Sequence, residues 1–193
     1  MDEVGFSMTA STYYSWSPVG QRLYVPYEAP QGRRINAIGA LFHHSQRFEF
    51  LTRAKVPKCK KKPIPKAAEG LEASELGTLD AAVAIAFFWQ IAGCPDDAPE
   101  GWRRDKPLVI VIDNYSVYHS QDVKDERVKF QEADINLFFL PSYSPELSSI
   151  EPVWHDVKQH RMRRRSRDKL VDLKRDVDIL LTEKASSLRQ AIN

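Results

Sequence analysis

The sequence predicts an α/β domain: a mixed sheet, antiparallel in its first half and parallel beyond, with helices packed over it. Three observations predict this. Residues 108–112, Leu-Val-Ile-Val-Ile, form a short β-branched apolar run between Pro107 and the polar pair Asp113-Asn114. Such a run reads as a strand buried on both faces, as a central strand under helices is. A second apolar run at 135–140 follows after a helix-length interval, and a helical crossover requires the two strands to be parallel. Residues 34–43 and 47–51 supply the antiparallel part, a hairpin pair in which Phe48 and Phe50 alternate around Glu49.

In chain order, the opening Met1-Asp2-Glu3-Val4-Gly5-Phe6-Ser7 leads to Tyr13-Tyr14-Ser15-Trp16-Ser17-Pro18. Taken by itself, Asp2 reads as part of a solvated terminus. His43 and His44 are adjacent, so a strand would send them to opposite faces, which argues against a shared metal site. Residues 53–66 carry Lys and Arg, no acidic residue, and Pro57, Pro63 and Pro65. That composition precludes a regular helix and predicts an exposed basic loop over 53–70, whose Lys60, Lys61 and Lys62 are either solvated or set against a DNA backbone.

Residues 76–93 place Leu79, Ala82, Val83, Ala86 and Phe87 at helical spacing and end on Gly93, which predicts a core helix. A surface loop spans 94–106, and a crossover helix is expected over 120–133. The Ser/Pro loop 142–149 stops the second parallel strand. Ile150, Val153, Trp154 and Val157 then recur at i, i+3, i+4 and i+7, predicting a helix with Ser149 as its N-cap and Pro152 tolerated in the first turn. Glu151 falls on that first turn, off the apolar stripe.

The helix is expected to continue through 155–165, where Arg161, Arg163, Arg164 and Arg165 form a second basic run, inert or phosphate-contacting. His155 and His160, five apart, do not share an α-helical face, so a metal pair is discounted. Residues 168–193 predict a last amphipathic helix with Leu170, Leu173, Val177, Leu180 and Leu181 on one side.

At 193 residues, 42% hydrophobic and 28% charged, the chain is long enough for one sizeable core and is expected to form a single domain. No apolar run reaches membrane-spanning length and no basic-then-apolar signal opens the chain, so a cytoplasmic, nucleoid-associated protein is expected. Cys59 and Cys94 lack metal-ligand spacing, which leaves no zinc site and reduced thiols. The net charge of +2 decides little; the two basic runs are the part that points to nucleic acid.

Two carboxylates stand out. Asp113 ends the first parallel strand, where open α/β sheets meet ligands, although a turn or N-cap role is the plain alternative. Glu151 opens a helix, where a Glu commonly does no more than complement the dipole. Their setting says more. The apolar strand, Asp113-Asn114, His119, the next strand and Leu140-Pro141-Ser142-Tyr143-Ser144-Pro145-Glu146-Leu147-Ser148-Ser149-Ile150-Glu151-Pro152-Val153-Trp154 together resemble the catalytic core of DDE transposases. The closest likeness is to the bacterial insertion-sequence branch of the mariner superfamily. Asp2-Glu3 followed by Gly5-Phe6, and then Trp16-Ser17-Pro18-Val19-Gly20-Gln21, resemble the same family's opening motifs.

The resemblance implies a ribonuclease H-like fold in which Asp2, Asp113 and Glu151 are the catalytic, metal-binding carboxylates. Glu146 is the alternative to Glu151. It implies two Mg²⁺ (or Mn²⁺) ions, for which acceptor-only carboxylate oxygens are the suitable ligands. His119 either helps to position substrate or is a surface residue. The implied activity is metal-dependent cleavage and strand transfer at transposon ends, on transposon and target DNA, by a homodimer. The resemblance also places most of the family's first strand, and its helix-turn-helix, before Met1. The competing expectation is therefore a truncated, inactive transposase remnant that only binds DNA or a full-length partner.

Overall fold

The computed structural model describes residues 1–8, 18–21, 33–55, 70–141, 144–162, 167 and 169–190. The basic positions Lys60, Lys61, Lys62, Arg163, Arg164 and Arg165, and Trp16-Ser17, lie outside them. Strand β1 (Asp2–Ser7) pairs antiparallel with β2 (Arg34–Leu41), which pairs antiparallel with β3 (Phe48–Lys55). Strand β4 (Leu108–Ile112) pairs parallel with β5 (Ile135–Phe139), with Ile110 opposite Leu137. Both halves of the expected mixed α/β architecture are present, hydrogen-bonded as two sheets. They meet where the Met1 nitrogen donates to the Val111 carbonyl, 2.7 Å away.

Helix α1 (Ala81–Ala92) starts on Asp80, whose side chain accepts the Val83 N–H. It ends on Gly93, whose φ of 76° is the left-handed conformation that a β-carbon disfavours. Helix α2 (Gln121–Glu132) is capped by the Ser120 hydroxyl and makes the crossover from β4 to β5. Phe87, Phe88 and Ile91 of α1 and Phe130 of α2 bury against Ile110, Ile112 and Ile135 on one face.

On the opposite face lie α3 (Glu151–His155) and α4 (Leu170–Gln190), whose Val153, Trp154, Leu173, Val177 and Leu181 bury with Phe6, Ile35 and Phe48. The expected Ser149 cap is not made: Ile150 occupies the N-cap position without a side-chain cap. After α3 the chain takes π-helical form over Asp156–Arg161, closed by the Met162 N–H on the Val157 carbonyl. This i to i+5 pitch brings the His155 and His160 ring centroids to 5.5 Å, which α-helical spacing alone does not foresee.

Candidate active site

The Met1 to Val111 bond seats the start of β1 beside the end of β4. Asp2 is the next residue along β1 and Asp113 the first beyond β4, so the ladder delivers both carboxylates to one place. Strand alternation sends Asp2 and Glu3 to opposite faces. Asp113 stands just past the end of β4. The result is an all-oxygen group in which one ligand atom each from Asp2, Glu3 and Asp113 lies within 4.8 Å of the others.

Each carboxylate is held by its own local structure. Asp2 accepts the Glu3 N–H at 2.7 Å, and Asp113 accepts the Tyr115 N–H at 3.1 Å. The Tyr118 hydroxyl, buried on the α1 and α2 side, donates to Glu3. Behind Asp113, the Asn114 side-chain amide donates to the Leu140 carbonyl at 2.5 Å, tying together the ends of β4 and β5. His119 stacks on Phe139 and its Nε2 lies 3.2 Å from the Asn114 Oδ1, so its ring braces this corner from outside the acidic group.

Glu151 comes from the opposite face. Asp2 pairs with Gly39 across the β1 and β2 ladder, and Gly39 is where the Trp154 ring of α3 lies against the sheet. That contact brings the first turn of α3 towards Asp2. Glu151 lies outside the 4.8 Å group, yet its charge is felt there. Burial first, and then repulsion from Glu151 and Asp113, push the Asp2 carboxyl up to about 6 against the lowering effect of the Glu3 amide. Burial, with Asp113 and Asp2 adding to it, pushes Glu3 up to about 8. Glu146, on a 3₁₀ turn over Pro145–Leu147, is exposed.

Of the predicted acidic residues, Asp2 and Asp113 therefore meet and Glu151 stands within electrostatic reach of Asp2. Sequence reasoning missed Glu3. Its signal was the Asp2-Glu3 pair itself, of which only Asp2 was taken as a ligand. Arg161, expected to face phosphates, bonds Asp156 at 2.8 Å, and Lys184 reaches the same carboxylate.

Residues 67–174 match the family model for DDE superfamily endonuclease. No curated protein matches the chain. Among solved structures the chain is similar to one in the crystal structure of the Mos1 strand transfer complex, with a TM-score of 0.51 and 14% identity. The alignment covers 98% of this chain and 51% of that one, so this chain spans about half its length. At this identity the likeness speaks for the fold, which is ribonuclease H-like. Among the described residues no helix is long and apolar enough to cross a membrane.

Proposed function

The chain belongs to the DDE superfamily endonuclease family, and from that premise we propose that it is the catalytic domain of a mariner-like transposase of the bacterial insertion-sequence branch. In this reading it cuts DNA at transposon ends, joins the freed 3′ ends to target DNA, works as a homodimer and associates with the nucleoid. The observation that carries the reading is the meeting of Asp2 and Asp113, residues far apart in sequence, in one oxygen-only group beside Glu151.

The donor set fits hard divalent ions: acceptor-only carboxylates converge, and burial first, then their mutual repulsion, raises Asp2 and Glu3, a cost of holding them charged that a cation would relieve. Asp2, Asp113 and Glu151 are the residues that would hold two Mg²⁺ or Mn²⁺ ions, with Glu3 beside them. Bound there, such ions supply Lewis-acid stabilisation of the phosphate oxygens and a more acidic water. The chain's own part is positional. The Tyr115 N–H and the Asn114 to Leu140 tie fix Asp113 at the end of β4, and packing of Trp154 on Gly39 fixes the approach of Glu151. Lys60, Lys61, Lys62, Arg161, Arg163, Arg164 and Arg165 supply phosphate contacts, Arg161 by exchanging its Asp156 partner.

The test is cleavage of transposon-end DNA by the purified chain with Mg²⁺ or Mn²⁺. Nicking is expected that chelation removes and that Asp113→Ala or Glu151→Gln abolishes. Cleavage at the wild-type rate in either variant overturns the site assignment. DNA retained but uncut with both metals would instead support the inactive, DNA-binding remnant.

A further inference from the structure

The π-helical turn over Asp156–Arg161 carries two pairs of side chains set five residues apart. On an α-helix such residues stand about 140° apart round the axis and do not meet. At the wider π pitch they stand nearly one above the other. The first pair is Asp156 with Arg161, an ion pair at 2.8 Å, and Lys184 of α4 reaches the same carboxylate oxygen at 2.8 Å. The second pair is His155 with His160, whose ring centroids lie 5.5 Å apart with the ring planes at 62°. Val157 is fully buried, and its carbonyl accepts the Met162 N–H that closes the turn. The ion pair, the buried Val157 and this backbone bond therefore hold the pitch that brings the two imidazoles together. Both histidines are exposed, and among the described residues neither ring has a hydrogen-bond or ion-pair partner. A π turn costs regular helix geometry, and such turns occur frequently at functional sites.

We infer that His155 and His160 form a second, nitrogen-donor metal site, which takes a borderline transition-metal ion such as Zn²⁺. Imidazole suits Zn²⁺, Cu²⁺ and Ni²⁺, whereas Mg²⁺ takes oxygen ligands, so this pair and the acidic group select different ions. The spacing fits. An ion about 2.0–2.1 Å from one nitrogen of each ring, at a tetrahedral angle, sets the ring centres about 5 Å apart, close to the observed 5.5 Å. Among the described residues no third His, Cys, Asp or Glu joins the pair within 4.8 Å, so water fills the remaining positions. His155 closes α3 one helical turn after Glu151, so an ion shared with His160 ties the helix that carries Glu151 to the turn that follows it. The inference stands apart from the metal-dependent cleavage reading, since it uses no acidic ligand. His43 and His44 also bring their rings to 5.6 Å, but they are neighbours in an exposed turn, where rotation about a single peptide link parts them.

The experiment titrates Zn²⁺ into the full chain by calorimetry, with Mg²⁺ in large excess so that carboxylate sites are already occupied. One ion per chain is expected, with a Kd of about 10 μM or tighter. His155→Gln and His160→Gln each remove one donor from an exposed position and should each weaken binding at least about tenfold. The double variant His43→Gln/His44→Gln should bind as the wild type does. Electron paramagnetic resonance of the wild-type chain with one equivalent of Cu²⁺ should show two coordinated imidazole nitrogens, a readout that does not depend on how well any variant folds. Absence of saturable Zn²⁺ binding, binding that survives either single substitution, binding lost in the His43→Gln/His44→Gln variant, or a Cu²⁺ spectrum without two imidazole nitrogens overturns the inference. None of these outcomes bears on cleavage, so failure here and failure of the cleavage reading are distinguishable.

Discussion

Burial disfavours the charged form of a carboxylic acid, and Glu3, with Asp113 and Asp2 close by, is pushed up to about 8. Unfolded, the same group ionises near its ordinary value of 4.5. The folded state therefore holds a proton that the unfolded state has lost, and stability present below the unfolded value drains away as pH rises towards 8. Asp2 acts in the same sense over a lower window, from its ordinary 3.8 to about 6. Without divalent metal, the chain should lose on the order of a few kcal/mol between pH 5 and pH 8, and Glu3→Gln should remove most of that slope above pH 6. Urea unfolding across this range decides it; an unchanged slope in the variant would remove Glu3 from the account. Tyr118→Phe deletes the hydroxyl that donates to Glu3 and should cost about 1–3 kcal/mol in the same assay. Asp113 was legible because a strand end followed by Asp-Asn is a local pattern. Glu3 and Tyr118 were not, since their pairing joins residues 115 positions apart in the chain and no sequence spacing expresses it.

At the scale of elements, the periodic and capped segments were the legible ones. Asp80 and Ser120 cap α1 and α2 as polar residues before apolar periods should, and Gly93 stops α1. The π-helical turn was not legible: Asp156–Arg161 has ordinary helix composition, and its widened pitch emerges in the packed structure. The contact most consequential for the site was also hidden, because it depends on a missing side chain. A β-carbon on Gly39 would lie 2.6 Å from the Trp154 ring and 2.9 Å from Phe48. These two buried rings meet edge to face at 5.4 Å, so neither has room to move aside. Gly39→Ala should therefore shift α3, cost about 1–3 kcal/mol by overpacking, and lower metal-dependent cleavage by more than the stability loss accounts for, since Glu151 rides on α3. Thermal unfolding and a cleavage assay on one preparation separate the two effects. Unchanged cleavage alongside lost stability would show that Glu151 does not depend on this contact.

For the whole molecule, the acidic group sits on a seam. Asp2 and Glu3 belong to the β1, β2 and β3 sheet and Asp113 to the end of the β4 and β5 sheet, so an ion bound by all three would tie the two together. A ligand that binds only the folded state stabilises it by about 2.7 kcal/mol at a hundredfold excess over its Kd. For a chain of this size that is a rise in Tm of roughly 5–10 °C. Protons compete for the same oxygens, with Asp2 holding its proton up to about 6 and Glu3 up to about 8, so the rise should be largest at pH 8 and fall by more than half at pH 5. Metal thus restores stability over the pH range in which the metal-free chain loses it, and the two unfolding profiles should converge in acid. Asp113→Ala, which removes the carboxylate between the sheets, should abolish the Mg²⁺-dependent rise at both pH values. A rise independent of pH, or one that survives Asp113→Ala, would mean that the cation binds elsewhere, and the three carboxylates would then meet without holding it.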